Sequence, residues 1–168
     1  MICVIDTETT GLPNAAWARV VEIGAVALDP ITYEERSAFD SLLCPDILDY
    51  RAERALDYTG ISFDAVRAAP SLDEVRSQFL AWVSENAISE VWAYNRVFDE
   101  TFLNRSDFLL PWQGCIMRLC RQHMPLRAKD PPLRESCAYF LGHEPERKHR
   151  ALDDARTAAA VLRVLRRS

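Results

Sequence analysis

Three stretches with strand-like patterning crowd into the first 43 residues of this chain, and helix-like periods begin only after them. "MICVID" (1–6) is an apolar run rich in β-formers that ends in an acid, and "RVVEIGAVALD" (19–29) carries the alternation of a second strand. Residues 36–43 complete a predicted three-stranded meander, with "TETTGLPNAAWA" as the turn or loop between the first two strands. The register then changes. "RAERALDY", ahead of a Thr-Gly pair, and "SLDEVRSQFLAWVSENA", with Ser71 as cap and Glu74 three residues on, carry the marks of helices. A short fourth strand is expected in "ISEVWAYN", a helix in "RVFDETFLNR", a short fifth strand in "QGCIM" and a helix in "MRLCRQHM". "PPLRESCAYFLG" has Pro before a helical run and Gly after it, and a last helix covers residues 151–167. Strands first, then strands alternating with helices, imply the α/β class, a mixed sheet covered by helices. The 168 residues are 49% hydrophobic, with no linker or low-complexity tract, so residues 1–168 read as a single domain with a core of its own.

Composition narrows the function classes. The N-terminus has no basic region ahead of an apolar one, and no uncharged apolar run approaches ~18 residues, so the expectation is an unexported, cytoplasmic protein without a membrane segment. Five cysteines without a C-x-x-C pair indicate neither a disulfide framework nor a zinc knuckle, and the thiols are expected reduced and mostly buried. Net charge is −5, which argues against a general nucleic-acid adhesive, but the sum hides an asymmetry. Residues 1–100 hold 7 arginines against 18 acids, whereas residues 101–168 hold 13 basic residues against 7 acids.

The acids repay closer reading. Asp6 and Glu8 stand two apart at the end of the first strand, so the two-residue period points both to one face, where they can share a ligand. Asp99 follows the fourth strand, four residues after Asn95 and next to Phe98, in a run otherwise built to pack. On a wheel of about 100° per residue, Val161, Leu165, Ala158, Ala151 and Leu162 fall within about 80° of Asp154, and Arg156, Arg163 and Arg167 lie roughly opposite. Asp154 therefore points with the apolar face, while Asp153 sits at its margin, three residues from Arg156, where a solvated ion pair is ordinary. An ionised carboxylate in an apolar stripe is costly unless paired or bound to metal. Four acids gathered from three elements repel one another unless cations join them, and hard divalent ions with oxygen ligands, Mg²⁺ or Mn²⁺, resolve both problems. Two such ions are a known device for in-line phosphoryl displacement. His149, five residues before Asp154, is the candidate base, since a water attacking phosphorus needs one with a pKa near neutrality.

Three motifs, "DTETTGL" (6–12), "NRVFD" (95–99) and "HRALDDA" (149–155), together resemble the DEDDh, or DnaQ-like, 3′-to-5′ exonucleases, which include polymerase proofreading subunits and exonuclease X. "ALDYTGIS" resembles the stretch between the first two motifs in such proteins. The resemblance implies a ribonuclease H-like fold, a mixed five-stranded sheet flanked by helices. It implies that Asp6, Glu8, Asp99 and Asp154 bind two divalent metal ions, Mg²⁺ or Mn²⁺, and that His149 is the general base. It also implies substrate contacts at Thr9, Leu12, Tyr94, Asn95 and Phe98, with Leu12 as a wedge against the last bases. Tyr94 departs from the pattern, since many relatives place His before the motif's Asn.

The function this implies is release of nucleoside 5′-monophosphates from 3′ ends of single-stranded nucleic acid, DNA preferred. The strand's backbone is expected to follow Arg118, Arg121, Arg127, Lys129 and Arg150. An exoribonuclease acting on short RNA or tRNA ends is the second reading, since discrimination rests on a 2′-hydroxyl contact that the sequence does not reveal. A catalytically silent nucleic-acid or partner-binding module is the third, disfavoured because all four acids and His149 are present. A polymerase or repair partner and a homodimer are left open.

Overall fold

A computed structural model describes residues 1–125, 129–145 and 150–167, apart from the side chain of Tyr58. The predicted meander is present as β1 (Ile2–Thr9), β2 (Val20–Leu28) and β3 (Glu35–Leu42), joined antiparallel. Three helices follow, α1 (Tyr50–Thr59), α2 (Phe63–Arg67) and α3 (Leu72–Glu85). The Ser71 hydroxyl and the Glu74 carboxylate close the expected capping box at the start of α3. Next come β4 (Glu90–Ala93), α4 (Arg96–Arg105), β5 (Trp112–Cys115), α5 (Ile116–His123), α6 (Leu133–Leu141) and α7 (Ala151–Arg167). The sheet order is β3-β2-β1-β4-β5, with β4 parallel to both β1 and β5. This is the mixed five-stranded sheet expected from the sequence.

Period-two alternation splits the core into two layers. On one face Cys3 and Ile5 of β1 and Ile23, Ala25 and Ala27 of β2 pack with Val75, Phe79 and Trp82 of α3 and Phe102 and Leu103 of α4. On the other face Ile2, Val4, Val26, Leu28, Trp92 and Tyr94 meet Ile116 and Cys120 of α5 and Ala158, Val161, Leu162 and Leu165 of α7. Helices on both faces leave all nine residues of β2 buried, the signature of a central strand. The five cysteines are free thiols, four of them buried. Among the described residues no helix is long and apolar enough to cross a membrane.

Two boundaries and one helix differ from expectation. β1 does not end at Asp6 but runs to Thr9, because Asp6, Thr7 and Glu8 pair with Gly24, Ile23 and Glu22 of β2. The fifth strand is Trp112–Cys115 rather than residues 113–117, and Ile116 and Met117 open α5, with the Met117 N–H donating to the Tyr94 carbonyl at 3.0 Å. The short helix α2, capped by Ser62 and burying Val66, was not expected from local pattern.

α7 lies directly against the sheet. A Cβ built on Gly24 would fall 2.0 Å from the Leu152 nitrogen and 2.2 Å from the Ala151 carbonyl carbon, so only glycine admits the helix at this depth.

Candidate active site

β1 brings two acids to the α7 face and a threonine to the other. Because β1 remains a strand through Thr9, Asp6 and Glu8 share the face that Ile2 and Val4 line below them, whereas Thr7 points with Cys3 and Ile5. Gly24, beside Asp6 in the ladder, lets the first turn of α7 approach, and that turn carries Asp154. Ligand oxygens of Asp6, Glu8 and Asp154 lie within 4.8 Å of one another, close enough for one small cation. Each of the three is partly buried.

Asp99 arrives from the opposite layer, in the first turn of α4, and is 2% exposed. The Thr7 hydroxyl donates to its Oδ1 at 2.8 Å, tying it to the same strand end. Both acid-bearing turns are helix N-termini, whose unpaired amides and dipoles favour negative charge. That compensation is partial. Burial first, then Asp99, Asp154, Glu8 and Glu22 in turn, holds the Asp6 carboxyl well above the usual carboxylate range. Burial, followed by Asp154, Glu22 and Asp99, pushes Glu8 up to about 8, with Arg150 opposing. Burial also raises Asp99 to about 7 against the hydrogen bond from Thr7. A buried all-carboxylate set whose members resist ionising together has the chemistry of a hard-cation site, since a divalent ion removes both penalties.

This arrangement sets a pH dependence for the metal-free protein. Folded-state values raised above the ordinary 4.5 of Glu8 and 3.8 of Asp99 contribute stability that is present below about pH 4 and is lost as pH rises through 7 to 8. Acids held low, such as Asp29 at about 2, act in the opposite sense but finish titrating below about pH 5. The melting temperature of chelator-treated protein is therefore expected to fall between about pH 5 and 8.5, and Mn²⁺ is expected to reverse the fall, because metal binding releases those protons. A flat profile without metal would contradict this account of the acids.

Other residues singled out from sequence fall as follows. Asp153 lies outside the cluster, and the cation three residues on, Arg156, pairs with Glu35 at 2.8 Å instead of with Asp153. Leu12 is 65% exposed on the loop after β1, and Asn95 is exposed as the N-cap of α4. Thr9 is buried, its hydroxyl donating to the Gly11 carbonyl at 2.8 Å, so its side chain shapes the turn that carries Leu12. Phe98 is half-buried and packs on Phe102 at 5.1 Å. Tyr94, expected as a substrate contact, is buried. Alternation along β4 sends it into the α5–α7 layer, where its buried hydroxyl donates to the Pro131 carbonyl at 2.6 Å and lies 2.8 Å from Ser136 Oγ. Among the cations expected along a backbone path, Arg150 is bound to Glu22 and Arg121 to Asp130, whereas Arg118 and Lys129 are exposed. His149 and Arg127 lie outside the described residues.

Sequence reading missed Glu22. It is 0% exposed, accepting from Arg150 Nε at 2.7 Å and from the Ala151 N–H at 3.1 Å. The available signal was an acid inside an otherwise apolar strand, which alternation disguised as a solvent-facing position.

Comparison with known proteins agrees with this geometry. The RNase_T family, described as "Exonuclease", matches residues 3–162. The chain is 33% identical over 163 residues to a DNA polymerase III PolC-type protein of Thermotoga petrophila, covering 95% of this chain but 11% of that protein. It is 28% identical to a DNA polymerase III subunit epsilon of Aquifex aeolicus, covering 95% of this chain and 77% of that one. The solved nuclease domain of 3′hExo, a DEDDh family member bound to rAMP, superposes with a TM-score of 0.77 at 22% identity, over 96% of this chain and 89% of that one. With a ribonuclease H-like sheet, a carboxylate cluster at one strand end and a family match along nearly its full length, this chain belongs to the DnaQ-like exonuclease family.

Proposed function

We propose that this chain, as a single domain over residues 1–168, is a metal-dependent 3′-to-5′ exonuclease that hydrolyses the last phosphodiester bond of single-stranded DNA and releases nucleoside 5′-monophosphates. The observation that carries the reading is the meeting of Asp6, Glu8 and Asp154 within 4.8 Å, with buried Asp99 tied to the same strand, in a member of an exonuclease family. Two divalent cations, Mg²⁺ or Mn²⁺, held by Asp6, Glu8, Asp99 and Asp154, would supply charge neutralisation to the attacking water and the departing 3′ oxygen. His149, which enters on its sequence motif alone, takes the proton from water as the oxygen bonds to phosphorus. The bond from phosphorus to the 3′ oxygen breaks, and the shortened strand leaves with a 3′-hydroxyl after taking a proton from solvent. Thr9, Leu12, Tyr94, Asn95 and Phe98 are the proposed substrate contacts, and Leu12 and Asn95 are the exposed ones among them.

DNA is favoured because the two sequence relatives above carry DNA polymerase names, and the same names make a polymerase the favoured partner class. Ribonucleotide ends are the second reading, favoured by the rAMP in the 3′hExo nuclease domain. The test is digestion of matched DNA and RNA oligonucleotides, labelled at either end, with Mn²⁺ or a chelator. Mononucleotide release from the 3′ end of DNA, abolished by chelation, is the expected outcome. RNA-only cleavage would overturn the DNA preference, and absence of cleavage on every substrate would overturn the enzyme reading.

A further inference from the structure

Glu22 is a completely buried carboxylate that the proposed chemistry does not use. Its two oxygens engage the residues that start α7. Oε1 accepts from Arg150 Nε at 2.7 Å, and Oε2 accepts from the Ala151 N–H at 3.1 Å, an amide the helix itself leaves without a partner. The Arg150 carbonyl in turn accepts the Asp154 N–H at 3.0 Å, so Glu22 grips the N-terminal end of the turn from which Asp154 projects. The ladder supplies the second half of the geometry. Glu22 stands opposite Glu8 and Gly24 opposite Asp6, so the two β2 residues that touch the start of α7 are the neighbours of the two β1 acids.

From this we propose that Glu22, with Arg150, is a positioning residue that clamps the first turn of α7 onto β2 and so presents Asp154 to Asp6 and Glu8. The inference rests on reading those acids as a cation site. It differs in sign from a purely electrostatic role. Were Glu22 and Arg150 acting only through charge, removing the carboxylate would weaken cation binding and removing the guanidinium would strengthen it. A clamp needs both partners, so losing either weakens binding.

The deciding experiment is calorimetric titration of the whole chain with Mn²⁺, comparing wild type, Glu22→Gln, Arg150→Gln, the double variant and Asp154→Asn. Each single clamp variant is expected to weaken Mn²⁺ binding about 10- to 100-fold, the usual cost of removing a group that orients a metal ligand. The double variant is expected within about twofold of the worse single one, since the partners act as a unit. In metal-free Glu22→Gln, hydrogen exchange at the Ala151 amide is expected to accelerate, a readout independent of activity. Arg150→Gln carries the test if Glu22→Gln unfolds, because the Arg150 side chain is 47% exposed. Mn²⁺ binding by Arg150→Gln as tight as or tighter than wild type would overturn the clamp. Failure of the wild type to bind Mn²⁺ would overturn the cation site itself, and the two failures are distinguishable because Asp154→Asn is lowered only if the site exists.

Discussion

Asp154→Asn is expected to slow removal of the 3′ nucleotide by at least about 100-fold, the loss of roughly 3 kcal/mol of charge stabilisation in the transition state. Asp153→Asn is expected to stay within about twofold, as for a substitution away from packed or ligating groups. The two positions are adjacent, yet successive residues on a helix point about 100° apart. One turns Asp154 to within 4.8 Å of Asp6 and Glu8. The other turns Asp153 toward the groove that Cys137 and Leu141 of α6 form with Thr157 of α7. Single-turnover cleavage of a 3′-labelled oligonucleotide in Mg²⁺, with melting temperatures alongside, measures both. Equal and severe losses at the two positions would refute the division of labour.

Gly24→Ala is expected to damage stability and site together. The added methyl would meet main-chain atoms of Ala151 and Leu152 at 2.0–2.2 Å, and neither can rotate away as a side chain could. Either α7 lifts or β2 shifts. Overpacking of a tight core costs about 1–3 kcal/mol, and a backbone obstacle puts this substitution at the upper end. A loss of about 3 kcal/mol lowers the melting temperature of a domain this size by roughly 6–12 °C. Because the displaced turn carries Asp154, Mn²⁺ affinity is expected to fall as well. Alanine at Gly60, where nothing lies within 4 Å of a Cβ, supplies the contrast: its cost arises from a positive φ of 72°, and Mn²⁺ binding is expected to be unchanged. Retention of wild-type Mn²⁺ affinity by Gly24→Ala would show that the depth of α7 does not set the site.

What could be read in advance divides along a physical line. Helix faces were legible because a 3.6-residue period survives in composition, and the wheel selected Asp154 over Asp153 before any packing was known. The strand count and the α/β class followed from the order of periods for the same reason. Glu22 was opaque. In "VVEIGAVAL" the single acid, set among apolar residues, looks like a point on the wet side of a strand, and only the presence of α7 over that face makes the position dry and gives it Arg150 and the Ala151 amide as partners. The burial of Tyr94 was equally hidden, since its motif neighbour Asn95 is exposed while Tyr94, just past β4, packs against the segment before α6.

The sequence by itself determined which carboxylates the proposed chemistry draws on: a D-x-E on one strand face, an acid after the fourth strand and one inward aspartate on the last helix. It also determined the elements that carry them, because local hydrophobic period and capping are properties of neighbours in the chain. Only the tertiary structure decided that β1 continues past Asp6, that Thr7 reaches across to Asp99, and that Gly24 and Glu22 set the depth and angle of α7. Apart from the β1–β2 ladder, those contacts join residues some 92 to 129 positions apart, and no local pattern encodes such a distance. It arises when a strand pairs and a helix comes to rest against it.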